Sequence, residues 1–134
     1  MRTGNAYQQY KAQSIGTMTQ EELLLLLYDE LVKRALRAEL ALEKEDYPLF
    51  EASLDRCLAI LRHLDDTLNQ SYPISQELHR LYEFFSFELS RIKSGRRIAD
   101  MQKLRPLLTD LRDTFRTASK NNKEEAIAEE RKAQ

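Results

Sequence analysis

Thr19-Gln20-Glu21-Glu22-Leu23-Leu24-Leu25-Leu26-Leu27-Tyr28-Asp29-Glu30-Leu31-Val32-Lys33-Arg34-Ala35-Leu36-Arg37-Ala38-Glu39-Leu40-Ala41-Leu42 runs without a glycine or proline. Its opening has the spacing of a capping box: Thr19 can accept from the Glu22 amide, and Glu22 can reach back to Thr19. A helix to about Glu45 follows. Its apolar residues fall on two adjacent stripes, Leu24, Leu27, Tyr28, Leu31, Ala35, Ala38 and Leu42 on one and Leu25, Val32, Leu36 and Leu40 on the other. A helix packed on one side needs a single stripe. Two stripes imply burial on two sides, or one side kept for something else.

The rest of the 134-residue chain has the same bias, with 22 leucines against six isoleucines, one valine, three glycines and three prolines. Leucine keeps its rotamer freedom in helices, whereas β-branched residues favour strands. Three glycines cannot supply the turns of a β-sandwich or of a doubly wound α/β sheet. The fold class is therefore all-α.

A second helix is predicted from Tyr47 to Asn69, with Asp46 as N-cap and Pro48 in the first turn. Its stripe is Phe50, Leu54, Cys57, Leu61, Leu64 and Leu68, with Leu58 and Ile60 at its flanks. Pro73 breaks the chain, and Ser75 is placed to cap a third helix. That helix carries Leu78, Leu81, Tyr82, Phe85, Leu89 and Ile92 on one face and Phe84 and Phe87 off it, and Gly95 suits its left-handed end. A fourth helix spans about Arg97 to Ser119 through Met101, Leu104, Leu108, Leu111 and Phe115, bent by the interior Pro106. Residues 120–134 hold eight charges and one large apolar residue, Ile127, and are expected to fray or stay disordered. The predicted architecture is one domain, an antiparallel up-and-down four-helix bundle over residues 19–119, with an irregular N-terminal arm (1–18) and a flexible polar tail (120–134).

Several chemistries are excluded. Lys and Arg number 21 against 22 Asp and Glu, a net charge of −1, so no global field favours nucleic acid or an anionic membrane. The longest apolar run, Leu23–Tyr28, is far short of the ~20 residues of a membrane span. The N-terminus lacks a signal-peptide apolar core, and the lone Cys57 has no disulfide partner, so the address read from sequence is cytoplasmic. A di-iron bundle needs Glu three residues before His, but Ile60 precedes His63 and Gln76 precedes His79. A phosphate on His63 would be repelled by Asp65 and Asp66. Asp110 and Asp113 read as solvated helix faces, and Lys93, Arg96, Arg97, Lys103 and Arg105 as a charged helix junction. No catalytic residue, cofactor site or metal site is predicted.

What remains is surplus apolar surface: the second stripe of the first helix, Leu58, Ile60, Phe84 and Phe87. Such a surplus marks an interaction site, and a groove for an amphipathic helix is a recurring form. The arm, with Tyr7, Tyr10, Ile15 and Met18, can cover that groove and compete for it.

The first third also resembles a known family, the cytoplasmic flagellin-export chaperones. The matching residues are Asn5-Ala6-Tyr7, Tyr10, Ser14-Ile15, Thr17, Glu21-Glu22-Leu23 and Leu27-Tyr28-Asp29 followed by Leu31, with Leu111–Phe115 agreeing near the end of the last helix. Gln20, Pro106 and Phe115 depart from the family pattern. The resemblance implies binding of the disordered C-terminal segment of flagellin, protection from premature polymerisation, and delivery to the flagellar export gate. Tyr7, Tyr10, Ile15, Tyr28 and Asp29 of the matching residues are the partner-binding candidates it implies, with a structural role in the core or in holding the arm the alternative for Tyr28 and Asp29; Leu25, Leu58, Phe84 and Phe87 join them from the surplus apolar surface. The free chain would be a monomer or a weak, helix-swapped homodimer. The alternative is an export adaptor or regulator holding another client, an anti-sigma factor or co-chaperone, in the same groove.

Overall fold

Local chemistry sets most of the helix ends in the computed structural model, which describes residue 16 and residues 18–133. Among these residues the helices are α1 (Gln20–Glu43), α2 (Tyr47–Asp66), α3 (Ile74–Gly95) and α4 (Ile98–Ala133), and no strand is present. Thr19 caps α1 by accepting from the Glu22 amide at 3.1 Å. Asp46 caps α2 by accepting from the Leu49 amide at 3.3 Å, with Pro48 in the first turn. Both caps match the sequence expectation.

Three ends differ from it. Helix α2 stops at Asp66 instead of Asn69, because the Thr67 hydroxyl donates to the His63 carbonyl and Asn69 turns the chain by accepting from the Ser71 amide at 3.0 Å. Ser75 is not the cap of α3. It is buried one residue inside the helix, and its hydroxyl donates to the Asn69 carbonyl, tying the α2–α3 link to α3. Gly95 stays helical, and Arg96 takes the left-handed position at φ 54°. There its guanidinium lies 4.0 Å from the Tyr47 ring centroid and donates to Glu51 at 3.1 Å. Those contacts to α2 hold Arg96 where glycine would be unstrained.

The fourth helix departs furthest from expectation. It runs through Pro106 and continues without a break to Ala133, so residues 120–133 are helical rather than frayed. Every residue from Lys120 to Ala133 is exposed. Ala, Glu, Lys and Arg dominate this segment, and their propensity sustains a helix already nucleated by packing upstream.

Residues 44–46, 67–73 and 96–97 are the links between helices. Links this short force neighbours to run antiparallel. α1 packs against α2 and α4, and α2 packs against α3, but α3 hardly touches α4. The bundle is a ring left open along its α3/α4 seam. The core is built from the predicted stripes: Leu31, Ala35, Phe50, Leu54, Cys57, Leu61, Leu89 and Met101 are fully buried. Truncating one of these leucines to alanine costs about 2–5 kcal/mol. Cys57 behaves as a small hydrophobe. Its thiol points at the Leu31 carbonyl at 3.7 Å, and burial pushes its pKa up to about 12. Ile60, expected among the surplus residues, is 8% exposed and belongs to the core.

Candidate functional site

Where the ring is open, the stripes of four helices converge without closing. α1 contributes Gln20, Leu24 and Tyr28, α2 contributes Leu64, and the α2–α3 link contributes Thr67 and Leu68. α3 contributes Ile74, Ser75, Leu78 and Tyr82, and α4 contributes Leu111, Thr114, Phe115 and Ala118, with Asn69 and Tyr72 at the rim. α1, α3 and α4 each supply residues at i, i+4 spacing, so each presents one edge of the same trough. The result is an apolar groove of about 560 Å³ with no charged residue among the described residues that line it. That volume falls within the ~300–1,000 Å³ of ordinary ligand clefts. The groove sits at the bundle end that contains the start of α1.

Two tyrosines form the floor. Tyr28 of α1 and Tyr82 of α3 are buried, and their hydroxyls lie 2.5 Å apart across the open ring. The Tyr28 ring packs against Phe115 of α4 with centroids 5.0 Å apart, tilted by 55°. Burial raises both phenol pKa values. The shared hydrogen bond partly offsets the rise at Tyr28, while neighbouring Tyr28 and Asp65 push Tyr82 further up. Both phenols are therefore neutral at physiological pH.

Beside the floor, His79 of α3 bridges two carboxylates, Asp65 of α2 at 2.6 Å from Nδ1 and Glu83 at 3.0 Å from Nε2. The hydrogen bond to Asp65 chiefly raises the imidazole pKa, against desolvation, and the charges of Asp65 and Glu83 add to the rise. The histidine fastens α3 to α2 at the edge of the groove.

The remaining sequence-predicted residues are scattered. Tyr7, Tyr10 and Ile15 lie outside the described residues. Of the others, only Tyr28 lines the groove. Leu25 is half-buried on α1. Asp29 is engaged within the fold, accepting from Arg116 of α4 at 2.8 Å with Arg112 at 3.7 Å. Leu58 faces the α2/α3 seam beside Ser86 and Ser90. Phe84 is 46% exposed and Phe87 68% exposed.

Helical phase explains this scatter. His79 and Lys93, two heptads apart on α3, reach Asp65 and Asp55 of α2, whereas Arg91 reaches Asp100 of α4. Phe84 stands one heptad before Arg91 and so lies on the α4 side, flanking the seam, while Phe87 points away from both neighbours. The structure does not gather Leu58, Phe84, Phe87 and the outer stripe of α1 into one groove. The residues that do gather, Leu24, Leu68, Leu78, Leu111 and Phe115, read as core stripe in the sequence. No local signal separates a stripe that closes on its neighbour from one that stays open.

No group of three or more His, Cys, Asp or Glu side chains gathers to hold a metal ion among the described residues. An all-helical bundle whose one outstanding feature is an open apolar trough belongs to the class of proteins that hold another chain. Comparison with known proteins makes that class specific. The family model described as flagellar protein FliS matches residues 3–122. The chain belongs to this family. It is 25% identical over 125 residues to the flagellar secretion chaperone FliS of Bacillus subtilis (strain 168), covering 93% of this chain and 94% of the relative. A solved bacterial flagellar chaperone has the same fold, with a TM-score of 0.70 and 22% identity over 89% of this chain and 98% of that one. The family is one of flagellar secretion chaperones and not of enzymes. Among the described residues, no helix is long and apolar enough to cross a membrane.

Proposed function

We propose that this chain is a cytoplasmic export chaperone that binds the C-terminal segment of flagellin in the α3/α4 groove. There it keeps flagellin from polymerising and hands it to the flagellar export gate. The observation that carries the reading is the 560 Å³ groove, uncharged among its described lining residues, which the four helices leave open although its walls are core-type residues. An amphipathic segment laid along it buries apolar surface and bridges α3 to α4. A disordered client loses entropy on ordering, and a long apolar contact offsets that loss.

The arm has a part in this reading. Gln20, close to the start of α1, lines the groove. The segment carrying Tyr7, Tyr10 and Ile15 covers part of the trough in the free protein and gives way to the client. Phe84 extends the apolar edge of the seam.

Mixing the chain with purified flagellin, with and without its C-terminal segment, and separating the products by size tests the main reading. A complex is expected only with the intact segment. Equal binding of both forms would overturn the assignment and favour the adaptor reading with another client. Deleting residues 1–17 should strengthen binding of a flagellin C-terminal peptide, and unchanged affinity would refute the covering arm.

A further inference from the structure

The floor of the groove has one proton too many. Two phenols carry two hydroxyl protons, and the Tyr28–Tyr82 contact uses one of them. Whichever tyrosine donates, the other keeps an O–H that no acceptor meets among the described residues. Tyr28 is 3% exposed and Tyr82 2% exposed, so bulk solvent does not readily take up this donor. Both side chains line the groove, and the walls above them are aliphatic and aromatic.

We propose that this spare hydroxyl is a specificity-determining donor, which selects a client segment that places a neutral oxygen acceptor over the Tyr28–Tyr82 pair. The inference rests on the groove being the client site. The acceptor is neutral because the described residues of the lining include no cation to compensate a buried carboxylate. It is a side-chain amide or hydroxyl, or a backbone carbonyl at a helix end, because carbonyls inside a helix are already bonded. A purely aliphatic segment of equal area would bury the donor unpaired and bind more weakly.

The test is a calorimetric titration of a synthetic flagellin C-terminal peptide into the wild-type chain, Tyr28→Phe, Tyr82→Phe, the double variant and a groove control, Leu78→Asp. Each single variant keeps one free O–H and should bind within about 3-fold of wild type. The double variant has none and should lose about 10-fold. Its fold should be intact, since removing both members of a hydrogen-bonded pair while keeping their shape is close to neutral. A double variant that binds like wild type, while Leu78→Asp abolishes binding, overturns the inference and leaves the groove reading standing. Peptide binding that survives Leu78→Asp overturns both. A measurement on the unaltered chain gives an independent check: a tyrosine hydroxyl proton should become newly slow to exchange by NMR when the peptide binds. Its absence in the complex overturns the inference whatever the variants do.

Discussion

Glu45, at φ 56°, closes α1 in a conformation that L-residues with a Cβ adopt at a cost. The Glu45 amide donates to the Leu42 carbonyl at 3.0 Å, and the Asp46 amide donates to the Ala41 carbonyl at 2.9 Å. That pair of bonds is a Schellman closure, which ordinarily has glycine at this position. Glu45→Gly should therefore raise stability by about 0.5–1 kcal/mol in urea denaturation. Arg96→Gly relieves similar strain but loses the Tyr47 stacking and the Glu51 bond, so it should gain less. Neither left-handed residue was legible in the sequence, because tertiary contacts rather than residue type fix Arg96 there. The caps at Thr19 and Asp46 were legible because their chemistry is local. His79 lies between these cases. Its own helix shows Glu83, but Asp65 reaches it only across the bundle. Its raised pKa means that the protonated form is favoured by folding. That contribution is complete below the ordinary histidine value of ~6.5 and fades as pH rises through the higher folded value. His79→Gln should thus destabilise most near about pH 6 and least near about pH 9, read as paired thermal melts. A deficit that grows with pH would show that the bridge does not stabilise the fold.

At the level of elements, all four helices could be placed from leucine periodicity, and the open question was where the last one ends. α4 is 36 residues long, against 24, 20 and 22 for α1, α2 and α3. At ~1.5 Å per residue its exposed part overhangs the bundle by roughly 20 Å. The sequence shows that residues 120–133 have no face to bury, and the structure agrees, since all of them are exposed. What apolar patterning cannot register is that a packed helix propagates into favourable residues without further contacts. Removing residues 120–134 should change unfolding free energy by less than about 0.5 kcal/mol. It should still lower far-UV helical ellipticity in proportion to the residues lost. Ser119, buried at 7% exposed, marks the limit, and a cut before it should begin to cost stability.

For the molecule as a whole, the order of packing matters more than the number of helices. α1 joins α2 and α4, and α3 is held almost entirely through α2. The Arg91–Asp100 bridge at 3.3 Å links α3 to the start of α4, and the groove separates the two helices further along. This opening was hidden in the sequence because Leu78, Leu111 and Phe115 carry the same spacing as the fully buried Leu61 and Leu89. Hydrogen exchange should expose the difference. In the free chain, amides of α3 and of the α4 overhang should exchange ahead of those in α1 and α2, since the first pair has fewer packed neighbours. If a flagellin C-terminal peptide is the client, as proposed, its addition should protect residues 74–82 and 111–118 the most, because an occupant there gives α3 and α4 the neighbour the bundle lacks. Protection confined to α1 and α2, or spread evenly over all four helices, would mean that the client docks elsewhere and that the open seam is only a gap in the packing.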